Sequence, residues 1–152
     1  MEVILPLEFG DSNISLIQAL RVLPHLSILE FRLPTIFVPT QQHIHDFQSL
    51  LANYLLGFNQ IQVITLPIQL VNIHVLHALA SLHQLEMMNI IPEDGNGGDA
   101  FAWILKDSGI QRSSIIFPVL RNANVDLANV PQENKFSTLS IIVNRLPGVL
   151  VA

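Results

Sequence analysis

His74 and His77 stand three residues apart, and His43, His45 and Asp46 form a second polar cluster, in a chain with six histidines and no cysteine. Histidines at that spacing on a helix face one way and could share a zinc ion with further ligands. A zinc site needs three or four converging ligands with an outer shell to orient them, and no glutamate of the protease-helix kind lies between His74 and His77. These histidines are expected to be surface polar residues, and no metal site is expected. Glu93-Asp94-Gly95-Asn96-Gly97-Gly98-Asp99 is rich in calcium-ligand types. Counted from Asp94, however, the sixth and twelfth places hold Asp99 and Leu105, where a calcium loop needs glycine and glutamate. No Lys-Ser or Lys-Thr follows, so the glycines do not make a phosphate loop either. The stretch reads as a surface loop in which Asp99 caps the next helix. Ser108 beside Asp107 lacks the glycine-flanked turn of a nucleophile elbow, and the 12 acidic residues are scattered rather than paired. No catalytic residue, cofactor or enzymatic activity is expected.

Composition narrows the remaining classes. Half of the 152 residues are hydrophobic and 12% are charged. The longest apolar runs fall far short of the roughly 20 residues a membrane span needs, so no membrane role is expected. The formal charge is −5, with seven Lys and Arg scattered singly. Nucleic acid calls for a basic face, which is not visible here, so no nucleic-acid partner is expected. The N-terminus lacks the basic region of a secretory signal. With the absence of cysteine, that places the chain inside the cell, in the cytoplasm or nucleus, as an expectation.

What the sequence does carry is recurrence. The pattern Leu23-Pro24-His25-Leu26-Ser27-Ile28-Leu29-Glu30-Phe31 returns from Phe58 to Leu66, from Leu82 to Ile90, and more weakly from Phe117 to Val125. A last copy starts at Leu146-Pro147-Gly148-Val149. The residues aligned with Leu26 are Ile61, Leu85, Leu120 and Val149, at intervals of 35, 24, 35 and 29 residues. Such uneven intervals exclude the fixed-length helical repeats. Three places on stand Leu29, Ile64, Met88 and Ala123, and two further on Phe31, Leu66, Ile90 and Val125. Alternation puts both sets on one face of a short strand. The expectation is that these strands are parallel neighbours with those side chains in the core.

A helix precedes each strand. Ser12 or Asn13 can cap the first, which carries Leu16, Ile17, Leu20 and Leu23 at helical spacing. Thr40 precedes Ile44, Phe47, Leu51, Leu55 and Phe58, and Asn72 can cap the helix that carries Val75, Leu76, Leu79 and Leu82. Pro24, Pro118 and Pro147 stop three of the helices, because proline has no N–H to donate. A short fourth helix is read from Phe101, Trp103, Ile104 and Leu105, and a fifth from about Asn134 to Leu146. Val3-Ile4-Leu5-Pro6-Leu7 reads as one more strand, with Leu5 and Leu7 at core positions.

The other strand face carries the candidate functional residues. They are Ile28, Glu30 and Arg32, then Val63, Thr65 and Pro67, then Met87, Asn89 and Ile91, and finally Asn122 and Asn124. Ile28, Val63 and Met87 are placed to form a continuous apolar strip, which is what a protein-binding surface offers.

A Leu-x-x-Leu-x-Leu strand preceded by a helix resembles the leucine-rich repeat. The resemblance implies an α/β solenoid with parallel strands on its concave face and helices on its convex face, and places the outward strand residues where partners bind. The family has Asn or Cys three residues beyond the strand. This chain has Pro34, Gln69 and Glu93 there, which implies an irregular, helix-rich variant. The stretches from Leu76 to Glu86 and Phe117-Pro118-Val119-Leu120 look like the divergent repeats of fungal F-box proteins. In that family an F-box docks to the adaptor of a cullin ubiquitin ligase and the repeats hold the substrate.

The expectation is thus a single array over residues 1–152, without a separate F-box domain, reading as an excerpt of a longer array. Its role is a protein-binding scaffold, specifically the substrate-recognition repeats of an F-box-like ligase subunit. The alternative is a structural or degenerate repeat fragment. Val3-Ile4-Leu5 and Val149-Leu150-Val151-Ala152 are uncharged and β-prone, and are expected to promote self-association.

Overall fold

A computed structural model describes residues 1–6, 17–20, 22–23, 25–33, 40–58, 60–91, 104, 117–125, 132–145 and 150–151. Among the described residues six short strands are β1 (Glu2–Pro6), β2 (Ile28–Arg32), β3 (Val63–Pro67), β4 (Met87–Ile91), β5 (Asn122–Val125) and β6 (Leu150–Val151). They form one sheet in which spatial order follows chain order, and every neighbouring pair is parallel. Parallel neighbours require crossovers of a dozen or more residues, usually helical. Helices α1 (Gln41–Leu55), α2 (Ile73–Ala80) and α3 (Gln132–Arg145) lie in three of those connections.

Register across the sheet follows the recurrence in the sequence. Leu29 pairs with Ile64, Ile64 with Met88, and Met88 with Ala123. All four are fully buried. Leu66 and Ile90 are likewise partners, as are Ile90 and Val125. The strand entrances share one backbone device. The carbonyl of Ser27 accepts the amides of Gln62 and Val63 at 2.8 and 3.0 Å, and that of Gln62 accepts Glu86 and Met87 at 2.8 and 3.1 Å. The Glu86 carbonyl does the same for Arg121 and Asn122, and the Met1 carbonyl for Ser27 and Ile28. From β1 to β5 each strand is therefore clamped to the next one residue before regular pairing begins.

Three expectations need correction. In β1 the residue opposite Leu29 is Val3, and the residue opposite Phe31 is Leu5. The register thus sits two residues from the expected Leu5 and Leu7. A two-residue slip keeps the same face inward, so alternation alone cannot distinguish the two registers. In β6, Val151 lies opposite Ala123 and Leu150 opposite Asn122, one residue from the alignment of Val149 with Leu120. Val149-Leu150-Val151-Ala152 is apolar at every place, so it carries no parity signal. Pro67, which alternation turns outward, is buried. There β3 runs directly into a 3₁₀ turn, Ile68–Leu70, whose Ile68 and Leu70 are buried.

The helices start where side chains can replace missing backbone partners. Thr40 Oγ1 accepts the His43 amide at 3.2 Å, and Asn72 Oδ1 accepts the Val75 amide at 2.8 Å. From α1, Phe47, Leu51 and Leu55 are buried, and from α2, Val75, Leu76, Ala78 and Leu79. Both sets join the inward strand residues in one core, and the Phe31 and Phe47 rings meet edge-to-face with centroids 6.1 Å apart. Ile17 and Leu20, in the helical residues 17–20, belong to the same core, as does Ile142 of α3. The helix expected from about Asn134 begins at Gln132. Of the expected fourth helix only Ile104 is among the described residues. Leu7, Ser12, Asn13, Leu16, Pro34, Glu93 and Pro147 also lie outside them.

Glutamine amides tie successive segments together. Gln18 Nε2 donates to the Tyr54 hydroxyl at 2.8 Å, and Gln60 Nε2 to the Leu23 carbonyl at 2.7 Å. Gln48 of α1 donates to the Gln69 carbonyl at 2.8 Å and accepts from Asn72 Nδ2 at 3.2 Å. The residue that caps α2 is thereby also fastened to α1.

Candidate functional site

Alternation along β2 to β5 turns a second set of side chains away from the core, and register sorts that set into rows running across the strands. The first row is Ile28, Val63, Met87 and Asn122, each paired with the next. All four are partly exposed. The second row is Glu30, Thr65, Asn89 and Asn124, again consecutive register partners. In this row Asn124 is exposed and the other three are half-buried. Arg32 stands at the end of β2 with 57% of its side chain exposed.

Neighbouring strands lie about 4.8 Å apart, close enough for short side chains in one row to touch. In the second row they bond. Asn124 Nδ2 donates to Asn89 Oδ1 at 2.6 Å, and Asn89 Nδ2 donates to Thr65 Oγ1 at 3.1 Å. The donors all point the same way along the row, so each bond polarises the next. At the near end Arg32 Nε donates to Glu30 Oε1 at 2.9 Å. Both partners of that ion pair reach solvent, so it contributes little to stability. Its effect is to hold the Glu30 carboxylate toward its own strand.

Chemically the face is two-toned. Ile28, Val63 and Met87 give a strip that releases water on contact, while the Thr65–Asn89–Asn124 row offers amide and hydroxyl groups that fix orientation. The sequence placed these residues on one face but did not reveal that the second row is hydrogen-bonded. The available signal was the alignment column itself, which holds short polar residues in three consecutive strands. The Gln48–Asn72 bond had no comparable signal.

The residues whose types suit other chemistry are placed differently. His45, His74 and His77 are exposed on helices. Asp46 accepts a bond from Gln42 Nε2 at 2.7 Å. Among the described residues no group of three or more His, Cys, Asp or Glu is arranged to hold a metal ion. No helix among them is long and apolar enough to cross a membrane. The stretch from Glu93 to Asp99, and Asp107 with Ser108, lie outside the described residues.

No protein-family model matches this chain, and no curated protein or solved structure is significantly similar to it.

Proposed function

We propose that the chain is a leucine-rich-repeat-like solenoid with its strands on the concave face, and that it works as a protein-binding scaffold rather than an enzyme. The observation that carries this reading is the two-row face, an apolar strip beside a hydrogen-bonded polar row. Continuous apolar area flanked by oriented polar groups is the usual make-up of a contact surface. A sheet ordered as the chain is, held in one register over intervals of 35, 24 and 35 residues, supports the solenoid reading. The resemblance to fungal F-box repeats extends the proposal. On it, the scaffold is the substrate-recognition part of an F-box-like ubiquitin ligase subunit in the cytoplasm or nucleus, and its ligand is a protein.

A second reading is a structural or degenerate repeat segment. It is favoured by the amide row, because Asn89 already has bonds on both sides and a row that stitches strands together needs no ligand.

Affinity purification of the full-length gene product separates the readings. Val63→Asp and Met87→Asp each put a charge into the apolar strip, and His77→Ala alters an exposed helix residue as a control. The scaffold reading expects specific protein partners to be lost with either Asp variant, both variants remaining folded by circular dichroism, and kept with His77→Ala. Partners indifferent to both Asp variants would overturn it. The ligase reading further requires the cullin-ligase adaptor among the proteins recovered; its absence overturns that extension alone.

A further inference from the structure

We draw no further inference here: the strongest candidate, the exposed Phe136 and Leu139 on helix α3, carries none because nothing in the structure shows what covers that apolar face.

Discussion

Leu26 and Leu85 sit at aligned places just before β2 and β4, with 0% and 1% of their surface exposed. Truncating either leaves a cavity in a core that cannot fully collapse around it. Leu26→Ala and Leu85→Ala are each expected to cost roughly 2–5 kcal/mol, read as a fall in urea midpoint. The exposed His77 is the contrast: His77→Ala should stay within about 0.5 kcal/mol, and added zinc should leave the melting temperature unchanged. A zinc-induced rise that disappears in His74→Ala or His77→Ala would overturn the reading of these residues as surface groups. On the outward face, Asn89 is the middle of the row and Asn124 its exposed end. Asn89→Ala removes two bonds and should cost about 1–3 kcal/mol, and Asn124→Ala distinctly less. Equal losses in parallel denaturation curves would mean that the row is not mechanically continuous. Core residues such as Leu29 and Ile64 were readable because their type and their spacing agree. The bonds among Thr65, Asn89 and Asn124 were not, because they depend on rotamers and strand separation that no one-dimensional pattern encodes.

Helix starts and strand registers show what kind of signal survives in a sequence. Asn72 was legible as a cap because an oxygen on a short side chain answers a specific need, the unpaired amides of the first turn, and Thr40 meets the same need in α1. Inward residues of β2 to β4 were legible because a polar residue, Glu30, Thr65 or Asn89, stands between each apolar pair. Where that contrast fails, so does the reading: β6 is apolar throughout, β1 admits a two-residue slip without changing face, and Pro67 is buried although alternation turns it outward. The caps also make an unequal pair. Replacing Thr40 with Ala removes a single capping bond and should cost about 0.5–2 kcal/mol. Asn72→Ala also strips Gln48 Oε1 of its donor, so a larger loss is expected. Hydrogen exchange separates the two effects. Asn72→Ala should speed exchange in α1 as well as α2, whereas protection changed in α2 alone would show that the Gln48 bond does not couple the helices.

Among the described residues the sheet has β1 and β6 at its two edges, and edge strands offer unpaired backbone groups to other chains. Ile4 of β1 is 43% exposed, which adds an apolar contact to that edge. The 152-residue polypeptide is therefore expected to associate as its concentration rises, and Ile4→Lys should weaken the association by placing a charge on β1. Sedimentation equilibrium over a wide concentration range is the measurement, and a monomer throughout would refute it. The sheet's order has a different consequence for synthesis. Because spatial order repeats chain order, a strand emerging from the ribosome finds its inner neighbour already made and never waits for a later segment to be inserted between them. Translation proceeds from the N-terminus at about 5–20 residues per second, so β2 leaves the ribosome seconds before Val63 does and can settle on β1 in that interval. The clamp on the Ser27 carbonyl is then ready for the amides of Gln62 and Val63 as they appear. Assembly can advance as a growing front, with the newest strand always the exposed one.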